Sequence, residues 1–160
     1  KFALGVCNGC QMLSQLREII PGTKHWPKFV RNTSNQFEAR LSRVKINKTN
    51  SIFFKDMEGS ILPIIVSHGE GKAIFSNNKF SKTAIINYVD ENNKVSMKYP
   101  FNPNGSINGS NGFTNNDGRI TILMPHPERL YEISQYSYKS ADWETSPWMK
   151  FFINAREWLE

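Results

Sequence analysis

Two stretches of the chain carry residue types able to do chemistry, GVCNGCQ at 5–11 and MPHPER at 124–129. The first holds both cysteines, Cys7 and Cys10, interleaved with Gly5 and Gly9. Four readings of that pair are open. As a metal clip it supplies two thiolates at a zinc-like spacing, but structural zinc takes four ligands, and the chain has three histidines and no second CxxC. As a redox pair at a helix start, it has Gly5-Val6 where an aromatic residue usually precedes the first cysteine. Burial of both thiols in a core is the third reading, since free cysteine packs as a small hydrophobe. The fourth is G-x-C-x-G, the thiol form of a nucleophile elbow.

An elbow presents its nucleophile from a strained turn between a strand and a helix, and Gly5 and Gly9 leave room for that crowding. The helix N-terminus is expected to lower the Cys7 thiol pKa, and the Asn8 N–H to face a developing oxyanion. Cys10, one helical turn on, falls on the inner side of the helix as a packing residue. A thiol nucleophile also needs a base. Of His25, His68 and His126, only His126 follows an apolar run, ITILM, and stands between two prolines. Glu128 lies at i+2, on the same side of an extended chain, where it can fix the imidazole tautomer and stabilise the imidazolium. Alone, HPE reads equally as a surface turn with an incidental ion pair. Joined to GVCNGCQ, it completes a set of nucleophile, base and orienting carboxylate.

The elements that must position these groups are legible from periodicity. FALGV (2–6) is a short apolar strand, and Met12, Leu13, Leu16, Ile19 and Ile20 fall on one helix face that ends at Pro21-Gly22. A strand beginning at residue 2 has few local neighbours to pair with, so further strands are expected ahead of it. Phe37, Ala39, Leu41, Val44 and Ile46 predict an antiparallel-type strand, and Leu62–Val66 a buried one that leads into SHGEG (67–71). Short strands are expected at 73–75, 84–89 and 95–99, the last two joined by a hairpin turn at 90–94. FNPNGSINGSNG (101–112) reads as a loop by composition, and 120–124 as the next strand, opened by the turn at 115–118. Near the C-terminus, Ser146 is the expected N-cap and Pro147 the first helical residue, with Trp148, Phe151, Phe152, Ala155 and Leu159 as a core-facing stripe.

With 160 residues the chain suits one core, and 39% apolar with 21% charged residues is a globular composition. No apolar run approaches the roughly 20 residues of a membrane span, and the first residues lack the layout of a signal peptide. Two cysteines this close make no disulfide framework, which favours a reduced, cytoplasmic setting. The net charge of +6 comes from scattered basic residues without an aromatic ladder, so a solvated surface, or one facing an acidic partner, is expected rather than a nucleic-acid site.

GVCNGCQ and MPHPER together resemble a class I, triad-type glutamine amidotransferase domain. More narrowly, WPKFVRNTSNQFEARLS, SHGEG, YPFNPNGSINGSNGFT, GRITILMPHPER and SPWMKFFINAREWLE resemble the C-terminal glutaminase part of the large phosphoribosylformylglycinamidine synthases. The resemblance implies an α/β, flavodoxin-like fold, with residues 1–160 the C-terminal portion of an amidotransferase domain that is incomplete at its N-terminus. It implies Cys7 as nucleophile, His126 as general base and acid, Glu128 as the residue orienting it, and the Asn8 backbone as oxyanion donor. Gln11, Ser67 and His68 match positions at the glutamine pocket. Glutamine and the synthase region of the same polypeptide are the implied partners, with neither nucleic acid nor membrane among them. ATP and magnesium are implied for the synthase part, and no cofactor or metal for this chain. A Gly-rich turn that supplies the second oxyanion donor in such domains has no counterpart here, so the 160-residue chain alone is expected to hydrolyse glutamine poorly. GEGK (69–72) is too short for a phosphate-cradling loop. The competing reading remains a metal-binding or redox module built on Cys7 and Cys10.

Overall fold

A computed structural model describes all of residues 1–160. Strand β1 (Ala3–Val6) runs into helix α1 (Asn8–Gln15) with Cys7 alone between them. There follow β2 (Lys28–Val30), β3 (Glu38–Ile46), β4 (Ile61–His68), β5 (Lys72–Ile74), β6 (Ile86–Tyr88), β7 (Ser110–Thr114), β8 (Ile120–Leu123) and α2 (Met149–Glu157). Six strands form one sheet in the order β1-β8-β7-β6-β3-β4, while β2 and β5 make a separate two-stranded ribbon. The α/β class expected from the sequence is observed. Its sheet is mixed: β1 and β8 pair in parallel, and every other pairing in it is antiparallel.

Side chains alternate across this sheet and feed two cores. Leu123 joins Phe53, Phe54, Trp148 and Phe151 on the α2 side, whereas its neighbour Ile122 joins Cys10, Trp26, Phe113 and Met124 on the α1 side. Cys10 is fully buried, as its place on the inner side of α1 predicts.

Five expectations change. First, α1 stops at Gln15, and Met12, Leu16 and Ile19 are exposed rather than forming a buried face. Ser14 sets the buried side by donating to the Pro27 carbonyl, and Thr23 closes the turn by donating to the carbonyls of Arg17 and Ile20. Second, β3 buries Glu38, Ser42, Val44 and Ile46, so Ala39 and Leu41 point outward, and Phe37 just ahead of it is exposed too. A strict period of two cannot put 41 and 44 on one face, and Val44 and Ile46, packed in the core, decide the register. Third, the end of the expected 101–112 loop is the start of β7, a fully buried strand. Its smallness is what admits it: a Cβ on Gly112 would lie 2.5 Å from Leu123 Cδ2 and 2.7 Å from Ile86 Cγ1. Fourth, 95–99 forms no strand and keeps only a single bridge between Val89 and Val95. The turn before it is present, with Asp90 N–H donating to the Lys94 carbonyl. Fifth, α2 opens at Met149 with Trp148 as its N-cap, so Ser146 and Pro147 lie in the turn ahead of it, where Ser146 Oγ accepts from the Trp148 N–H at 3.3 Å; Trp148, Phe151 and Ala155 are buried while Leu159 lies beyond the helix, exposed.

The two glycines of the elbow differ in what they do. A Cβ on Gly5 would meet the Gly9 carbonyl oxygen at 2.7 Å and Leu13 Cδ1 at 2.8 Å, whereas a Cβ on Gly9 would meet nothing within 4 Å. The expectation that both leave steric room therefore holds for Gly5 and not for Gly9. Gly5→Ala should destabilise the fold by about 1–3 kcal/mol through overpacking. Gly9→Ala, inside the helix, should be neutral or stabilising by up to about 1 kcal/mol. Urea unfolding of the two variants checks the contrast.

Candidate active site

Cys7 sits at φ 53° and ψ −108°, a left-handed backbone that costs a non-glycine residue about 1–3 kcal/mol. The main chain on both sides enforces it. Cys7 N–H donates to the Leu123 carbonyl at 2.9 Å, which extends the β1–β8 ladder, and the Cys7 carbonyl accepts the Gln11 N–H at 3.0 Å, which starts α1. The half-buried thiol donates to the Ser67 carbonyl at 3.8 Å. Burial pushes the thiol pKa up, against the opposing pull of the Asn8 N–H and of Arg129, and Glu128 adds to the rise. The sequence-based expectation of a lowered pKa is thus corrected: an eight-residue helix does not outweigh desolvation of the sulfur.

His126 arrives at the end of β8. Its N–H donates to the Ile65 carbonyl at 2.8 Å, which ties the segment to β4. Nδ1 lies 2.6 Å from Glu128 Oε1, while Nε2 is buried with no hydrogen-bond partner. The contact with Glu128 comes from a 3-10 turn over Pro127–Arg129 and not from an extended chain. Burial raises the Glu128 pKa, but the bond to His126 and the neighbouring Arg129, at 3.8 Å, bring it below the ordinary carboxylate value. Carbonyls two residues apart on a strand point the same way, about 6.6 Å from each other. Ile65 and Ser67 are such a pair, so β4 holds the His126 backbone and the Cys7 sulfur on adjacent positions of one edge.

The remaining site candidates separate around β4. Gln11 donates from Nε2 to the Glu70 carbonyl at 2.7 Å and helps line a cavity of about 430 Å³ with Arg17, Lys28, Phe29 and Glu70. Ser67 meets Cys7 through its carbonyl. His68 faces the other side of the strand: it is 3% exposed, packed against Gly71, with Nε2 3.4 Å from Asn104 Nδ2. The structure therefore brings Cys7, Ser67, His126 and Glu128 together, sets Gln11 at the nearby opening, and puts the His68 ring behind them. His25, 3.0 Å from the Thr114 carbonyl, stands apart, and the Cys10 thiol is fully buried with its pKa well above the ordinary value. Residues 69–72 link β4 to β5 and not a strand to a helix, so they build no phosphate cradle. No group of three His, Cys, Asp or Glu side chains is placed to hold a metal ion. Sequence reading missed the partners of His68, namely Asn104 and Asn32, and Ser106 behind Asn104. Their stretches carried the narrower resemblance, but their composition gave no sign of a buried contact with His68.

Residues 1–159 match the family model of the CobB/CobQ-like glutamine amidotransferase domain. The chain belongs to that family. Among solved structures, this amidotransferase domain is similar to PurLQS from Thermotoga maritima at 22% identity and a TM-score of 0.74, covering 100% of this chain and 63% of that one. It is also similar to a putative GMP synthase subunit from Thermoplasma acidophilum, at 13% identity and a TM-score of 0.51, covering 98% of this chain and 59% of that one. The domain thus has the class I glutamine amidotransferase fold and spans about three-fifths of the length of these relatives. No helix is long and apolar enough to cross a membrane.

Burial, with the neighbouring His126, holds the His68 pKa down from 6.5 to about 4. A buried imidazole that resists protonation contributes stability that is complete above pH 6.5 and is lost as pH falls towards 4. Stability should fall over that window by up to roughly 3 kcal/mol. Urea unfolding at a series of pH values should show the slope, and His68→Gln should flatten it.

Proposed function

We propose that this amidotransferase domain hydrolyses glutamine through Cys7, His126 and Glu128. The observation that carries the reading is the His126 imidazole: bound to Glu128 through Nδ1 at 2.6 Å, with Nε2 buried and unpartnered, on the strand edge that also receives the Cys7 thiol. Because burial raises the thiol pKa, Cys7 does not ionise unaided at neutral pH, and a base must take its proton. His126 Nε2 accepts that proton, and Glu128, held as a carboxylate, stabilises the imidazolium. The sulfur attacks the side-chain amide carbon of glutamine, and the Asn8 N–H supports the oxyanion. His126 returns the proton to the leaving nitrogen, releasing ammonia and leaving a γ-glutamyl thioester. Water, deprotonated by His126, then attacks the thioester to give glutamate and restore the thiol. Gln11 and Ser67 border the glutamine pocket in this reading, and the burial of Cys10 speaks against a metal or redox use of the pair.

The ammonia serves a synthase region that converts formylglycinamide ribonucleotide to formylglycinamidine ribonucleotide in cytoplasmic purine biosynthesis. Support comes from the sequence stretches that resemble the large phosphoribosylformylglycinamidine synthases and from the likeness to PurLQS. By the same resemblance, ATP and magnesium are assigned to that region. With Asn8 as its one oxyanion donor, the 160-residue chain alone should turn over glutamine on the order of 10²–10³ more slowly than the full-length enzyme.

A glutamine-mimicking chloroketone should label Cys7 alone, as read by peptide mass spectrometry. Labelling should vanish in His126→Ala and slow by about 10² or more in Glu128→Gln. Labelling at Cys10, or bound zinc released by Cys10→Ser, would overturn the reading.

A further inference from the structure

Behind the candidate triad lies a buried polar network that the proposed chemistry does not use, and His68 is its centre. On one side Asn104 Nδ2 meets His68 Nε2 at 3.4 Å, while Asn104 Oδ1 accepts both the N–H and the Oγ of Ser106. Ser106 Oγ in turn meets the Gly71 carbonyl and accepts the Ala73 N–H, and Asn32 joins in by accepting the Gly71 N–H and donating to the His68 carbonyl. Asn32, His68, Asn104 and Ser106 are all at least nine-tenths buried. The ring is clamped: a Cβ on Gly71 would collide with its Nε2 and Cδ2.

On its other side the ring faces the segment that carries His126. The Met124 carbonyl lies close enough to favour a ring N–H, and a charge on His126 disfavours a charge on His68. From β3, Glu38 is directly cross-strand to His68, but its carboxylate is taken by Arg40 at 2.5 Å. The groups around the ring are therefore Asn104, the Gly71 backbone, the paired Glu38, the Met124 carbonyl and His126 with Glu128 behind it. A neutral imidazole suits that set: Nε2 faces the Asn104 amide nitrogen at 3.4 Å and can accept from it, while Nδ1 is buried without a hydrogen-bond partner. An imidazolium would set a second positive charge beside the one that His126 must gain during catalysis.

We propose that His68 is a positioning residue, a neutral wedge between the 102–106 turn and the Met124–His126 segment that sets the orientation of His126. This rests on the reading of His126 as the general base. It also differs from a glutamine-binding role for His68, because a buried ring on the far face of β4 acts through the base and not on the substrate. Asn104 follows as the residue that keeps His68 neutral, since its amide donates where a carboxylate would instead accept.

The test is steady-state glutamine hydrolysis by the full-length protein at pH 6 to 9, with the rate of Cys7 labelling as a second readout. His68→Ala should lower kcat at least about tenfold while KM for glutamine changes less than about threefold, and His68→Gln should restore most of the loss. Asn104→Asp sets an anion against the ring and should favour its protonation, so the acid-side loss of kcat should be displaced to higher pH. Adding His68→Gln to Asn104→Asp should remove that displacement, which a purely structural role would not do. A rise in KM with kcat unchanged would assign His68 to glutamine binding and overturn the inference. So would unaltered kinetics, or a pH-independent loss of kcat that tracks a lowered melting temperature in every variant. Cys7→Ala separates the two levels: persisting hydrolysis refutes the triad itself, whereas its abolition alongside ordinary His68 variants refutes only the positioning role.

Discussion

The site depends on the way β4 spends its backbone carbonyls. Its position at the end of the sheet leaves one side of the strand free of a further strand, and that side is used for tertiary contacts. Ile65 receives the His126 N–H, and two residues on, Ser67 receives the Cys7 thiol. The opposite side of the same strand is hydrogen-bonded to β3 over the full length from Ile61 to His68. The element that gauges the spacing of Cys7 and His126 is thereby one of the best-anchored in the molecule. A site assembled on a paired strand holds its geometry more closely than one carried by loops alone.

Burial and charge act against each other at Cys7 and at Glu128, and the balance differs between the two. At Cys7 desolvation prevails over the Asn8 N–H and Arg129, and the thiol stays protonated. At Glu128 desolvation is the largest single influence, but the bond to His126, the backbone N–H and the nearby positive charge together outweigh it, and the carboxylate stays charged. Opposed shifts of this kind divide labour between neighbouring groups: one holds its proton until a base asks for it, the other is permanently ready to support that base. Arg129, exposed on the turn that carries Glu128, pulls both groups towards the charged form and so links them.

The candidate site was more legible in the sequence than the architecture. Gly5, Cys7, His126 and Glu128 could be named because a strained turn and a proline-flanked base leave local marks. The outward turn of Phe37, Ala39 and Leu41 could not be read without knowing which part of β3 meets the core, since either parity fits an apolar alternation. β7 escaped detection because the strand SNGFT has the composition of a loop, and only its neighbours Ile86 and Leu123 explain why it must be small. The exposure of Met12, Leu16 and Ile19 likewise reverses a helical pattern that was correct in its spacing, because Ser14 and Thr23 fix the helix by polar contacts that periodicity does not register. Long-range partners decided each miss.

The unusual backbone of Cys7 has a bearing on how such a site can arise and change. Its dihedral angles are imposed by the ladder bond to Leu123, the first helical bond from Gln11 and the close approach of Gly5 to Gly9. None of these involves the sulfur. The turn is therefore a presentation device indifferent to its cargo, and the side chain it displays can be exchanged without dismantling the scaffold. Architecture and reactivity are inherited separately here, so a lineage could lose or alter the reaction while the fold persisted as a partner-binding body.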